Sequence, residues 1–193
     1  MYFQPSFVLL TSILPLLATS LPIINLAPRA ALCSIIGKTA LPAETQEAAD
    51  AIASVVTCNT ALRPLQGIPD TISGGIKFSS INFAASKLTP LDFALQTFST
   101  PTPPRSASLT TFQNQLNVYV AQEAGIRSIN GNLAIKAPKF FLEFQIARIK
   151  TSQGQTITDP GQTVEHLLGK VIKNAGRVSQ ATIDAVNKLA TQL

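Results

Sequence analysis

The sequence predicts an all-α protein, a single-domain bundle of about five to seven short amphipathic helices with one disulfide. Apolar residues recur every three or four positions in several segments, and proline, serine, threonine and glycine stand where these segments begin or end. The roughly 165 residues that follow the N-terminal leader are enough for one domain with its own core. The alternative is an α+β fold with a hairpin around residues 126–149.

Residues 1–20 have the character of a signal peptide. They carry no charged side chain, and their apolar run from Phe7 to Ala18 ends in the small residues Ala18-Thr19-Ser20. The run is too short for a membrane crossing, and Pro15 interrupts it. We therefore expect a secreted, extracellular protein, with a short N-terminal anchor as the alternative.

Residues 21–29 are expected to be a short pro-segment, removed by a cut after Arg29, or a disordered N-terminus. The single helical domain is then expected to cover residues 30–193. No segment after the leader reaches the length of a transmembrane helix.

The chain contains two cysteines, Cys33 and Cys58. In an oxidising compartment they predict one disulfide, which closes a loop of about 26 residues and stabilises the fold by roughly 3 kcal/mol in the chain-entropy model. The alternative is a pair of buried free thiols.

The first helix is predicted from about Pro42 to Arg63, because Pro42 suits a first turn and Pro64 stops the helix. Its apolar residues recur at helical spacing and predict a buried stripe of Ala51, Val55, Cys58 and Leu62. The following segment, which includes "SGGIK", is rich in glycine and proline and predicts turns; its spacing does not fit a phosphate-binding loop.

Two short helices are predicted before a proline-rich connector at residues 99–108. The first is indicated by four apolar residues that step by three or four, namely Phe78, Ile81, Ala85 and Leu88. The second begins with Thr89 as N-cap and Pro90 at its first position. Its inward face is predicted to be Leu91, Leu95 and Phe98.

A longer helix is predicted after the connector, with a stripe of Leu109, Phe112, Leu116 and Tyr119. Asn130-Gly131 would end it as a left-handed cap. The rival interpretation makes the same Asn-Gly pair the turn of a hairpin.

The segment "KFFLEFQIARIK" fits two structures. Alternating apolar residues favour a strand, whereas a helix starting at Pro138 would be apolar around most of its circumference, as central helices are. We favour the central helix. Its residues Phe140, Phe141, Phe144 and Ile146 are predicted to be either core or the lining of an apolar ligand site.

Two helices are predicted at the C-terminal end. Asp159-Pro160 caps the first, whose apolar stripe runs from Val164 to Ala175, and Gly176 ends it. Ser179 caps the second, which carries Ile183, Val186 and Ala190 on one face.

The composition gives little support to an enzyme. The one histidine, His166, excludes two-histidine metal motifs, and no Gly-X-Ser-X-Gly elbow is present. Glu143 with Glu165 or Asp184 is the weak candidate for a catalytic carboxylate pair. We expect no enzyme activity, no metal and no cofactor.

The net charge of +5 lies in the C-terminal third, where nine Lys or Arg follow Ile126 against four acids. Four basic residues follow one another at helical spacing, opposite the apolar stripe of their helix: His166, Lys170, Lys173 and Arg177. They predict a basic face that binds an anionic surface, a cell-wall polymer or an acidic protein. The alternative is a helix face that is solvated and binds nothing. Nucleic acid is not an expected partner, because no reading motif is present.

The expected function is that of a small secreted, effector-like protein that acts by binding at a host, cell-wall or membrane surface. The alternative is a carrier that encloses a lipid or another apolar ligand, and the third hypothesis is a hydrolase without a recognisable motif. A leader, one disulfide, no tryptophan and amphipathic helices together resemble small secreted proteins of filamentous fungi, and the helical stripes are similar to those of hydrophobic-surface-binding cell-wall proteins. This resemblance implies no site residues.

Overall fold

The computed structural model describes residues 31–193, so the expectations for residues 1–20 and 21–29 lie outside the described part. That part contains six α-helices and a small three-stranded antiparallel sheet, which packs against α3. The helices are α1 Ala43–Ile52, α2 Pro90–Thr97, α3 Leu109–Ser128, α4 Lys136–Ser152, α5 Val164–Asn174 and α6 Gln180–Ala190. The strands are β1 Val56–Asn59, β2 Asp70–Ser73 and β3 Ile76–Lys77, in the order β1-β2-β3.

The first predicted helix is shorter than expected. α1 ends at Ile52 instead of Arg63, and Cys58 lies on β1 instead of a helical stripe. Val55 and Leu62, predicted to be buried, are 54% and 44% exposed. The β-branched run Val55-Val56-Thr57 favours an extended backbone, and pairing with β2 satisfies its polar groups.

The sheet makes the fold class α+β, so the all-α prediction is correct only in its helical majority. β1 pairs with β2 from Val56 opposite Ser73 to Asn59 opposite Asp70. Gly74 and Gly75, both with positive φ, form the turn to β3, as the predicted turn at "SGG" requires. The sheet therefore lies within residues 56–77, whereas the predicted hairpin region 126–149 consists of the end of α3, a short loop and most of α4.

The predicted disulfide is confirmed. Cys33 and Cys58 are bonded with their Cα atoms 6.0 Å apart, which joins the N-terminal segment to the edge strand β1. The bond therefore fixes the approach of the chain to α1 and the sheet.

The short helix predicted around Phe78 is instead two 3₁₀ turns, Phe78–Ile81 and Phe83–Ala85. Leu88, expected on its inward face, is 43% exposed. The next helix, α2, is confirmed with its cap, because the Thr89 side chain accepts a hydrogen bond from the Asp92 amide.

α3 is confirmed as one helix that ends before Asn130. Asn130 has φ 54°, and the Gly131 amide donates to the Ile126 carbonyl, so Asn130 takes the left-handed position at this helix end. The rival hairpin is therefore wrong.

α4 is the central helix, and the strand interpretation of its sequence is wrong. It starts at Lys136, two residues before the predicted Pro138, and packs against α2, α3 and α5. Five of its side chains have no solvent exposure: Phe141, Leu142, Phe144, Gln145 and Ile149. The connector at 99–108 also packs on it, with Pro104 buried in the 3₁₀ turn Pro104–Ser106.

The C-terminal helices are confirmed with two corrections. Ile172, on the predicted apolar stripe of α5, is 37% exposed. Thr163, not Asp159, caps α5, because Pro160–Gln162 forms a separate 3₁₀ turn. Gly176 has φ 72° after α5, and Ser179 caps α6, both as predicted. No helix within residues 31–193 is both long and apolar enough to span a bilayer.

A buried arginine ties α6 to α4. Arg148 is 1% exposed, and its guanidinium donates to the carbonyl oxygens of Leu189 and Gln192, each at 2.7 Å, and to Thr100 Oγ1 at 3.1 Å. It also donates to the Gln145 side chain. A cation at the carbonyl end of α6 is favourable to that helix, so Arg148 closes the C-terminal end of the bundle.

Replacing Arg148 with methionine should destabilise the protein by about 3 kcal/mol, because its hydrogen bonds to Leu189, Gln192, Thr100 and Gln145 would all be lost. Urea unfolding followed by circular dichroism measures the change. Lys188→Met, which removes a cation from the exposed face of α6, should shift stability by no more than about 0.5 kcal/mol. Equal stability of Arg148→Met and the unchanged protein would contradict this role.

Candidate functional site

A cleft of about 760 Å³ opens between α1, α3, α4 and α5. Each helix contributes residues from one face, at the spacing that a helix requires. From α4 these are Lys136, Lys139, Phe140 and Glu143, and from α3 they are Val120, Glu123 and Arg127. The cleft lining contains five Lys or Arg and four Glu, so it is a charged site.

The base of the cleft is an ion-pair network around Glu123, whose side chain is 4% exposed. Its Oε1 accepts from Arg127 Nε and Nη2 at 2.8 Å each, and its Oε2 lies 2.9 Å from Lys139 Nζ. Burial alone would raise the pKa of Glu123, but the charges and hydrogen bonds of Lys139 and Arg127 outweigh it and hold the pKa below its usual value. Glu123 is therefore ionised and fully engaged.

Glu143 shares Lys139 with Glu123, but its pKa is shifted in the opposite direction. Its Oε1 lies 3.6 Å from Lys139 Nζ, and its side chain is 17% exposed. Burial raises the pKa of Glu143; Lys139 and Lys170 offset this in part, while the negative charge of Glu123 adds to it. Of these two glutamates, Glu143 is thus the one that takes up a proton more readily.

Three ammonium groups converge on the ring of Phe140. Lys139 Nζ lies 4.2 Å from the ring centroid, Lys170 Nζ 5.3 Å and Lys136 Nζ 5.8 Å. The electron-rich ring face attracts cations at these distances. Phe140 is itself only 8% exposed, so the aromatic ring positions the lysines and leaves little of its own surface to a ligand.

The predicted basic face is divided by the structure. His166, Lys170 and Lys173 lie on α5 and line the cleft, so they form its wall instead of an open ridge. Arg177 does not join them, because α5 ends at Asn174 and the positive φ of Gly176 breaks the helical spacing. Arg177 is exposed outside the cleft lining.

The four apolar residues singled out on α4 lie in the main core cluster. Phe141 and Phe144 have no solvent exposure, and Ile146 has 6%. Phe140 stands at the boundary, with the core on one side and the cleft on the other.

The structure brings together only two of the three acids that were candidates for a catalytic carboxylate pair. Glu143 and Glu165 both line the cleft, whereas Asp184 lies on α6 and accepts from Gln180 Nε2 at 2.9 Å. The carboxylate that shares a cation with Glu143 is Glu123, which sequence reasoning missed. The sequence did indicate one of the ion pairs of Glu123, because Glu123 and Arg127 are four residues apart in a predicted helix.

The chemistry open to these acids is limited. Both oxygens of Glu123 accept from cations, so this carboxylate is not free to activate a water as a general base. Within residues 31–193, no group of three or more His, Cys, Asp or Glu is arranged to hold a metal ion. The arrangement is best suited to binding an anion among the lysines.

The fold and the site together define a small, disulfide-bonded α+β protein with a charged cleft between four helices. Residues 35–193 match the family described as "Domain of unknown function (DUF7143)", and the chain belongs to this family. The comparisons with curated proteins and with solved structures found no match.

Replacing Glu123 with glutamine should destabilise the protein by about 3 kcal/mol near neutral pH, because Lys139 and Arg127 would lose their buried partner. Since folding lowers the pKa of Glu123 from its usual 4.5, its contribution is present above that pH and is lost as the pH falls through the folded value. The difference in free energy of unfolding between Glu123→Gln and the unchanged protein should therefore shrink on acidification.

Urea unfolding at a series of pH values measures this difference. Glu47→Gln is the matched control, because Glu47 is an exposed carboxylate on α1 outside the cleft. It should change stability little at any pH. A Glu123→Gln penalty that stays constant from neutral to strongly acidic pH would contradict the ion-pair assignment.

Proposed function

We propose that this is a small secreted protein that acts by binding, and that its cleft takes a segment of an anionic polymer at a cell-wall or host surface. The observation that carries the proposal is the wall of lysines in a concave site. Among residues 31–193, the ion pairs at the cleft engage Arg127 and Lys139, which leaves Lys136, Lys170 and Lys173 without a carboxylate partner in contact. Among these residues, the lining also carries the unpaired acids Glu44 and Glu165, but its five Lys or Arg outnumber its four Glu, and an excess of one sign in a cleft favours a ligand of the other sign.

The shape of the site favours a chain over a flat membrane. A concave cleft can surround a narrow polymer, whereas a bilayer surface reaches only its rim. A helix that lies on a membrane must also offer it an apolar face. The apolar face of α5 is already used in the core, where Val164, Leu167 and Val171 are at most 4% exposed.

The proposed secretion of the protein favours a polymer that is itself extracellular. The disulfide between Cys33 and Cys58 is typical of oxidising compartments, and the N-terminal sequence favours export. Acidic polysaccharides are anionic polymers of such surroundings. An effector-like role at a host surface is part of the same proposal.

The two other hypotheses have less support. A lipid carrier would use the phenylalanines of α4, but Phe141 and Phe144 already pack fully against neighbouring residues of the core. A hydrolase would use the paired acids, but Glu123 is committed to its ion pairs.

The test is retention on immobilised polygalacturonate, with neutral dextran as the blank matrix. The unchanged protein should be retained at low salt and released as salt rises, because exposed charge pairs are screened. Lys170→Glu/Lys173→Glu should lose at least about 10-fold in affinity, since two attractive charges become repulsive. Circular dichroism checks that the variant is folded.

The matched control is Arg177→Glu/Lys188→Glu, which changes the net charge by the same amount outside the cleft. It should retain most of the affinity. Equal losses in both double variants would assign retention to net charge and discard the cleft, and no retention of the unchanged protein at low salt would overturn the proposal. Binding to anionic vesicles but not to the polymer would identify a membrane as the partner instead.

A further inference from the structure

The position of Glu143 within the cleft leads to a more specific inference about what enters it. Glu143 stands one helical turn from Lys139 and two from Lys136, on the face of α4 that meets α5. The ammonium groups of three lysines converge around Phe140, and Glu143 places a carboxyl group of the protein beside them.

Resting on the proposed function, we propose that one carboxylate or sulfate group of the polymer binds among Lys136, Lys139 and Lys170, and that Glu143 takes up a proton when this group enters. The lysines are already held by the ring of Phe140, so little side-chain freedom is lost on binding. The site therefore has preformed donors for a single oxyanion.

The charge state of Glu143 decides whether the site accepts that group. An ionised Glu143 neutralises part of the lysine charge and repels a second anion beside it. A protonated Glu143 removes this repulsion and offers its O–H as a hydrogen-bond donor to the ligand oxygen. Binding and protonation are therefore linked, and each strengthens the other.

Charged and titratable groups from all four helices line the cleft that contains Glu143. They are Glu44 on α1; Glu123 and Arg127 on α3; Lys136 and Lys139 on α4; and Glu165, His166, Lys170 and Lys173 on α5. Glu123 is fixed as a carboxylate by its two cationic partners. Burial raises the pKa of Glu143, whereas the ion pairs of Glu123 hold its pKa below the usual value, so of these two acids Glu143 gains a proton more readily.

The experiment measures the binding of a galacturonate oligomer by calorimetry from about pH 5 to about pH 8. Histidine side chains titrate in this range, so the measurement is made in a His166→Gln background. In that background the affinity should rise about 10-fold as the pH falls, and the heat of binding should depend on the buffer because a proton is taken up. A sulfated oligomer of similar length tests whether sulfate is accepted as well as carboxylate.

Adding Glu143→Gln should remove the pH dependence and the proton uptake, and should hold the affinity near its low-pH value throughout. Glu165→Gln removes the same charge from the exposed wall of the cleft and should leave the pH dependence in place. The buffer comparison on the His166→Gln protein provides the test without altering Glu143.

Persistence of the pH dependence after Glu143→Gln, or binding without proton uptake, would overturn this inference while leaving the proposed function standing. Absence of salt-sensitive binding at every pH would overturn both. A sulfated oligomer that binds as the galacturonate oligomer does would assign the site to oxyanions in general.

Discussion

The structure depends on the burial of α4 from almost every side. Its apolar side chains cover most of its circumference, so α2, α3 and α5 must pack around it to remove that surface from water. Besides the buried Arg148, the charged side chains on the inner part of α4 are Lys136, Lys139 and Glu143, whose charged ends must stay near solvent or near partners. The neighbouring helices therefore close over the apolar part of α4 and leave the cleft above the charged part.

The ion pairs of Glu123 connect this packing to the site. Glu123 reaches the base of the cleft from α3 and binds Lys139 of α4, so one carboxylate both fixes the contact between the two helices and consumes one of the cations. The same interaction helps to shift the pKa values of the two glutamates in opposite directions, because both share Lys139 and Glu123 lies closer to it than Glu143 does. Under the proposed function, one small network would thus set both stability and ligand affinity, and Glu143 would be its titratable member.

Helix caps and apolar patterns predicted the elements whose structure depends on residues close together in the sequence. Thr89 with Pro90, Ser179 and Gly176 marked helix ends correctly, and the all-round apolar sequence of α4 identified the central helix. The sheet was missed because β1 has four residues and follows a helix without a break in apolar spacing, and its structure depends on pairing with Asp70–Ser73. Helical spacing predicted that His166, Lys170 and Lys173 share one face of a helix, but it did not predict the cleft. The pairing of Lys139 with Glu123 joins residues of two helices, and no spacing within one helix reveals it.

The central claim is that Glu143 and the surrounding lysines form one site for an anion. Carbon-13 NMR of the Glu143 side-chain carboxyl, titrated with and without a galacturonate oligomer, tests it most directly. We expect a higher titration midpoint in the presence of the oligomer, because the ligand's negative charge favours the protonated carboxyl. An unchanged or lower midpoint, at an oligomer concentration that saturates the protein, would contradict it.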